Sequence, residues 1–243
     1  MKRKRYASTG EISKYKARIN VDGSKMAKGL HYEETYAPVV AWATIRFFLT
    51  LAIINNWHTR QFDFLMEFTQ ADIERDLYMK LPPRFIIPGR ELSDEDRKKY
   101  VLKLEKNLYG QKQAGRVWYQ HLKKNLTQIG FKASNIDECV FYYKQSIFIV
   151  YTDDTIIMGP DQKEIEMLVK KLKKVFNIED QGNLGDYLGI KITKHKDGTM
   201  EWTQPNLIAS ILNDLGLRED SKNPPKTRIH LKQEQHHPTA QQP

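Results

Sequence analysis

The stretch IFIVYTDDTIIMG, residues 147 to 159, sets two adjacent carboxylates, Asp153 and Asp154, inside an apolar, β-branched run. Ile147 to Tyr151 reads as a strand, and so does Thr155 to Met158, with Thr152, Asp153 and Asp154 between them. So short a connection joins antiparallel neighbours, and the stretch is a β-hairpin. Two readings of its tip are open. Asp tolerates turn conformations, so the tip can be a plain solvated turn. Alternatively, the two carboxylates face a cation, which removes the repulsion between like charges set in an apolar wall.

A third carboxylate bears on that choice. RQFDFLMEF places Asp63 inside another apolar run, and Arg60 to Phe68 reads as a strand. Gln61, Asp63, Leu65 and Glu67 would line one face, and Phe62, Phe64, Met66 and Phe68 the other. If the two strands are neighbours, Asp63, Asp153 and Asp154 form a three-carboxylate cluster. Such a cluster suits two hard cations roughly 3.5–4 Å apart, which clamp both oxygens of an in-line phosphoryl displacement. Spacing alone does not make the strands neighbours.

Around this centre the periodicity predicts mixed elements. Tyr15 to Val21 alternates weakly as a strand, after a flexible 1–12 segment. Thr44 to Trp57 is apolar nearly all round and reads as a buried helix. Ala71 to Leu81 is charged and stops at Pro82-Pro83, the polar 89–100 segment is a loop or short helix, and Val101 to Leu108 is a strand or turn. Trp118, Leu122, Leu126 and Ile129 give an amphipathic helix over 115–130, closed by Gly130. Gln162 to Phe176 gives another, with Lys170, Lys171, Lys173 and Lys174 on its solvent face. Asp186 to Lys194 alternates as a strand, and Asn206 to Leu215 is a third helix expected to bury Leu207, Ile208, Ile211, Leu212 and Leu215. Trp42, Trp57 and Trp118 fall in apolar patterns and are expected in the core. The order is not a strict strand–helix alternation, so the expected class is α+β, an antiparallel sheet with helices on one face.

Composition narrows the function. The chain of 243 residues carries a net charge of +9, unevenly placed. Lysines and arginines at 2, 3, 4, 5, 14, 16, 18, 25 and 28 face only Glu11 and Asp22 in the first thirty residues. That segment either attracts a polyanion, a nucleic-acid backbone or a triphosphate, or is a solvated basic arm. KRKR also fits a nuclear-import signal. Nothing reads as a membrane span or a signal peptide. Cys139 is the single cysteine, which excludes an internal disulfide and a cysteine-based zinc cluster and fits an intracellular setting.

Eight segments, in order, resemble the reverse transcriptase domain of copia-type long-terminal-repeat retrotransposons. They are KYKARI, HYEETYAPVVAWATIR, NWHTRQFDF, ADIERDLYMKLPP, KLEKNLYGQKQAGRVWY, YTDD, DYLGIKI and TQPNLIASIL, and the resemblance runs from about Glu11 to Arg228. QKQAG and QADIE, in place of commoner forms, mark a divergent branch. The resemblance implies a right-hand polymerase with fingers, an antiparallel palm sheet backed by helices, and an incomplete thumb. It divides the chain into a basic arm and fingers (1–56), palm (57–74), fingers (75–112), palm (113–195), a partial thumb (196–230) and a disordered tail (231–243).

It also implies roles. Asp63, Asp153 and Asp154 would be catalytic and would ligate two Mg²⁺ ions, or Mn²⁺. Lys16, Arg18, Phe68, Tyr109, Gly110 and Lys112 would contact the incoming nucleotide, Phe68 as the aromatic that disfavours a 2′-hydroxyl. Leu188 and Gly189 would grip the primer. The partners would be an RNA template, a DNA primer and deoxynucleoside triphosphates, with no membrane. The initial Met and polar end read as a fragment of a polyprotein whose ribonuclease H and integrase regions are missing here. Cytoplasmic retrotransposon particles, with possible nuclear entry, would be its location. Two departures stand out. Glu67 replaces a small residue before the aromatic gate, and Thr152 replaces an apolar one in Y-x-D-D. They leave a second reading, a catalytically decayed remnant that binds nucleic acid, in which Glu67→Ala would restore synthesis. A hydrolase using the same carboxylates on another fold is a third.

Overall fold

The computed structural model describes residues 2–5, 12–185, 187, 190–195 and 199–217. In chain order the elements are β1 (Lys2–Arg5), β2 (Ile12–Lys16), α1 (Trp42–Ile54), β3 (His58–Phe64), α2 (Glu67–Gln70), β4 (Asp72–Lys80), α3 (Asp94–Arg97), β5 (Val101–Lys106), α4 (Ala114–Ile129), β6 (Lys132–Ala133), β7 (Val140–Tyr143), β8 (Ser146–Tyr151), β9 (Asp154–Gly159), α5 (Gln162–Val175), β10 (Ile178–Gly182), β11 (Lys191–Lys194), β12 (Met200–Thr203) and α6 (Pro205–Asp214). The main sheet has six strands in the order β10-β3-β9-β8-β7-β6, every pair antiparallel. Three two-stranded ribbons, β1-β2, β4-β5 and β11-β12, complete the strand pairings.

The register assigns the two faces of the main sheet. Phe62 pairs with Thr155, and Val150 with Thr155, so Phe62, Phe64, Phe148 and Ile157 share one face. That face packs on α4 and α5. The Phe64 ring lies 4.9 Å from Trp118 of α4 and 5.3 Å from Phe176, the residue that closes α5. Asp63, Asp154, Met158 and Tyr151 share the other face. There α1 covers part of the sheet, with Phe48 against Tyr142 and Trp42 against Tyr151, each at 6.4 Å. Helices therefore lie on both faces, not on one as expected. This is why β8 and β9 read as continuous apolar runs rather than clean alternation: both sides are buried.

The helices follow their sequence signals. Gly130 ends α4 at φ 108°, a left-handed position that suits glycine. Asp161 caps α5 by accepting from the amides of Lys163 and Glu164. The cap of α1 comes from elsewhere. Asp137, distant in sequence, accepts from the Ala41 amide and from the Thr44 hydroxyl at 2.7 Å.

Several expectations are corrected. The strand from Arg60 stops at Phe64, because Met66 turns into the left-handed region at φ 51° and α2 begins. Leu65 to Phe68 therefore belong to no strand face. Residues 2–5 pair with 12–16, and the strand expected over 15–21 lies instead at Ile12–Lys16. Backbone hydrogen bonds suffice for this ribbon, so no apolar alternation announces it. Of the strand expected over 186–194, Lys191–Lys194 is strand, Tyr187 and Ile190 exchange backbone hydrogen bonds at 2.8 and 2.9 Å, and 186, 188 and 189 lie outside the described residues. Helix α6 buries none of its apolar residues; Leu207, Ile208 and Ile211 are about half exposed, since α6 does not reach the main core. Trp118 is core, but Trp42 is 40% exposed at the first turn of α1. The expected tail, 231–243, lies outside the described residues.

One polar clamp ties the sheet edge to α5. Arg60 donates from Nε and Nη2 to the two oxygens of Asp180 at 2.7 and 3.0 Å, and Lys173 adds a third bond at 3.1 Å. The Arg60 hydrogen bonds, against the opposing effect of burial, hold the Asp180 carboxyl down at about 2. In the unfolded chain an Asp titrates near ~3.9. The folded state thus binds its proton less tightly, so the clamp stabilises fully above about pH 4 and loses its effect as pH falls towards about 2. Arg60 is partly exposed, so solvent screening trims the gain. Asp180→Ala is expected to cost about 1–2 kcal/mol in urea denaturation at pH 7, and clearly less at pH 3.

Candidate active site

The hairpin of β8 and β9 turns on Thr152 and Asp153, and Asp154 is already the first residue of β9. The connection is therefore Thr152-Asp153 alone, shorter by Asp154 than the three residues the sequence left between the strands. Thr152 takes the left-handed conformation, φ 58°, that so tight a turn demands. Two bonds fix the tip to its surroundings. Phe64 donates its amide to the Asp153 carbonyl at 3.1 Å, and the Trp118 indole Nε1–H donates to the Thr152 carbonyl at 3.4 Å.

Register does the rest. Asp154 pairs with Tyr151 on one side and with Asp63 of β3 on the other. Cross-strand partners project to the same face with Cβ atoms roughly 5 Å apart. Burial, then the negative charges of Asp153 and Asp63, push the Asp154 carboxyl up to about 6. The three carboxylates thus lie together at one end of the sheet, where Asp153 and Asp63 make Asp154 harder to ionise. Among the described residues, no three carboxylate, histidine or cysteine side chains close on a single point as a preformed ion site. The donor set itself is all oxygen, which suits Mg²⁺ or Mn²⁺; Mg²⁺ usually takes one or two protein carboxylates and keeps waters and phosphate oxygens for the remainder.

A cleft of about 420 Å³ opens beside the carboxylates. Asp63, Asp153, Glu67, Tyr109 and Arg18 all line it. The Tyr109 ring is its centre. Arg18 lies over that ring at 5.0 Å, and the Phe68 ring meets it edge-on at 4.9 Å. Phe68 itself is only partly exposed. Glu67 accepts a hydrogen bond from the Tyr109 hydroxyl at 2.7 Å, and burial is the first cause that raises its pKa. Burial and that same hydrogen bond push the Tyr109 phenol up to about 12, so it stays a donor at any working pH.

Gly110 explains how Arg18 reaches this cleft. Segment 20–25 docks on the 109–110 loop, with the Val21 amide donating to the Tyr109 carbonyl at 2.8 Å. Gly110 sits at φ 88°, and a Cβ there would stand 2.1 Å from the Val21 carbonyl oxygen. Gly110→Ala is expected to lose ~1–3 kcal/mol through the combined strain and clash. The segment would detach, seen as fast hydrogen exchange at the Val21 amide and new tryptic cleavage at Lys25 and Lys28.

The remaining residues singled out in the sequence are scattered or beyond description. Lys16 ends β2, its backbone opposite Lys2. Lys112 is exposed next to Gly110. Leu188 and Gly189 lie outside the described residues. One residue escaped the sequence reading. Tyr187 is 1% exposed, belongs to the core that backs the hairpin, and its hydroxyl has no hydrogen-bond partner among the described residues. Burial, then the charge of nearby Asp154, raises its phenol pKa. Only its place in DYLGIKI, between strand-like residues, hinted at it.

The family model described as reverse transcriptase (RNA-dependent DNA polymerase) matches residues 2–228. The chain is similar to the retrovirus-related Pol polyprotein from transposon RE1 of Arabidopsis thaliana, 37% identical over 213 residues that cover 86% of this chain and 14% of that protein. It is 31% identical over 214 residues to the Pol polyprotein from transposon TNT 1-94 of Nicotiana tabacum, covering 86% of this chain and 16% of the other. It is 27% identical over 206 residues to the transposon Ty1-H Gag-Pol polyprotein of Saccharomyces cerevisiae, covering 79% and 11%. The chain thus spans about a sixth or less of the length of these relatives. No solved structure matches it significantly. Among the described residues no helix is long and apolar enough to cross a membrane. With a family model matched over nearly its whole length, and Pol polyproteins of transposons as its relatives, the chain belongs to the reverse transcriptase (RNA-dependent DNA polymerase) family, in its copia-type retrotransposon branch.

Proposed function

We propose that this chain is the polymerising domain of a retrotransposon Pol polyprotein and extends a DNA primer on an RNA template. The observation that carries this reading is the β3–β9 register, which sets Asp63 opposite Asp154 and next to Asp153 at the mouth of the Arg18–Tyr109 cleft. In the reaction the primer 3′-hydroxyl gives up its proton to solvent and its oxygen bonds to the α-phosphorus of a deoxynucleotide. The bond from that phosphorus to the bridging oxygen breaks, and pyrophosphate leaves with the electron pair.

Asp63, Asp153 and Asp154 would hold two divalent cations, Mg²⁺ or Mn²⁺. When bound, such ions lower the pKa of the attacking hydroxyl and offset charge on the phosphates. Arg18 supplies a fixed positive charge for the triphosphate, and Lys16 and Lys112 lie on segments that lead to the same cleft. The Tyr109 ring would be the apolar wall for base and sugar, and Phe68, which does not line the cleft but backs that ring edge-on, would be the gate against a 2′-hydroxyl. The rigid, buried hairpin keeps the carboxylates from following the substrate. Leu188 and Gly189, next to Tyr187, would hold the primer end.

In right-hand terms the main sheet with α4 and α5 is the palm (57–74 and 113–195). The basic arm and the β4–β5 ribbon are fingers (1–56 and 75–112), and β12 with α6 is a partial thumb (196–230). The positive N-terminal region suits a nucleic-acid backbone, with affinity that falls as salt rises. The ribonuclease H and integrase activities of a complete element would come from other parts of its polyprotein.

Primer extension tests the reading. Purified protein, a DNA primer on an RNA template, four deoxynucleotides and Mg²⁺ or Mn²⁺ should give metal-dependent extension. Template binding without synthesis under any of these ions would favour the non-catalytic remnant, and metal-dependent strand cleavage would favour the hydrolase.

A further inference from the structure

Glu67 is the residue of the cleft whose presence is hardest to account for. It is 3% exposed, and a carboxylate so buried destabilises the fold unless it is paired. Its side chain does not project bare into the cleft. It is tied to Tyr109, 42 positions along the chain, by the 2.7 Å bond from the phenol hydroxyl. Tyr109 is in turn the only residue described that touches both Phe68 and Arg18 as ring partners. The Tyr109 backbone is already fixed by the Val21 amide, so the one remaining freedom of this residue is rotation of its side chain. The Glu67 bond removes it.

We propose that Glu67 is a positioning residue of the nucleotide cleft. By holding the Tyr109 hydroxyl it locks the Tyr109 ring as a wall shared by Phe68 and Arg18. That lock sets the affinity for a deoxynucleoside triphosphate and the discrimination against a ribonucleotide. The inference rests on the reading of the cleft as a deoxynucleotide site. It reverses the expectation that Glu67 damages the enzyme: the carboxylate is bonded to the Tyr109 hydroxyl, and its removal frees the ring.

The chemistry distinguishes close variants. Gln at this position keeps an acceptor oxygen for the phenol, whereas Ala leaves none. Tyr109→Phe removes the donor while keeping the ring. The test is steady-state extension by the wild type, Glu67→Gln, Glu67→Ala, Tyr109→Phe and the double variant Glu67→Ala/Tyr109→Phe, with deoxy- and ribonucleotides in turn.

Glu67→Ala should raise KM for the deoxynucleotide about tenfold and lower the deoxy-to-ribo preference by a similar factor, with kcat within about threefold. Glu67→Gln should stay within about threefold of wild type on both measures. Tyr109→Phe should reproduce the Ala phenotype, and the double variant should add little to either single one, because both break the same bond. A residue that only supports the fold would lower the melting temperature without moving the preference ratio. If Glu67→Ala does not fold, the contrast between Gln and Tyr109→Phe decides the matter.

An unchanged KM and ratio in Glu67→Ala, or higher activity than wild type, overturns the proposal. If the wild type itself extends no primer, the polymerase reading fails separately, and the proposal is then judged by calorimetric titration with dATP and Mg²⁺. Binding weakened about tenfold in Glu67→Ala but not in Glu67→Gln upholds it. Binding that is equal in all variants, or absent from the wild type, overturns it.

Discussion

Asp153→Asn is expected to abolish primer extension, by about three orders of magnitude or more, while its thermal unfolding stays close to wild type. The side chain lies at the hairpin turn and lines the cleft, so it makes no core contact that the amide would break. What changes is charge. An amide keeps one acceptor oxygen but cannot neutralise a divalent cation, and the other two carboxylates remain as they were. Asp154→Asn should be as inactive and, in the absence of divalent ions, more stable. In the wild type Asp154 is crowded by Asp153 and Asp63 in a half-buried position, and its replacement relieves that repulsion. After allowance for solvent screening the gain is about 1 kcal/mol, or roughly 2–4 °C in Tm for a domain of this size. Mg²⁺ should raise the Tm of the wild type and have much less effect on Asp154→Asn. Differential scanning calorimetry with and without Mg²⁺ measures both shifts. Retained extension in either variant would remove the metal-binding assignment.

Trp118→Ala carries the largest expected cost to stability. Trp118 is 3% exposed and packs edge-on against Phe64 at 4.9 Å and Phe176 at 6.1 Å, with His121 stacked on it at 5.9 Å. Its removal empties the junction of α4, α5 and β3, and such truncations cost about 3–5 kcal/mol. The same ring donates to the Thr152 carbonyl, so the hairpin tip loses its tether as well. Trp118→Phe separates the two effects. It refills much of the space but cannot donate, and it should lose activity out of proportion to its smaller loss of stability. Urea denaturation and primer extension on the same pair of variants make the comparison.

How far the chain could be read from its residues depended on distance along it. The 147–158 hairpin and helices α4 and α5 are local patterns, and they stand where the periodicity put them, with Gly130 closing α4. The pairing of β3 with β9 is not local. No spacing rule joins Asp63 to Asp154, and only the family resemblance suggested it. Boundaries failed where a backbone conformation, not a side-chain pattern, decided them: Met66 at φ 51° ends β3 four residues early. Apolar periodicity marked α6 as a helix correctly, but amphipathicity says only that a face can be buried, not that anything covers it. Glu67 read as an intruding charge because its partner, Tyr109, lies in another segment and a phenol carries no pattern of its own.

The same non-local pairing governs when the site comes into being. Asp63 and Asp154 stand opposite one another only after a loop of about ninety residues has closed, an entropic cost of about 4 kcal/mol that no local contact offsets. At about 5–20 residues per second, a ribosome needs several seconds to make the chain between them, during which β3 has neither β9 nor β10 beside it. The carboxylate cluster is therefore a late product of folding, absent from any nascent chain that stops short of the hairpin, and a chain that has begun to assemble its sheet does not yet hold Asp63 beside Asp154.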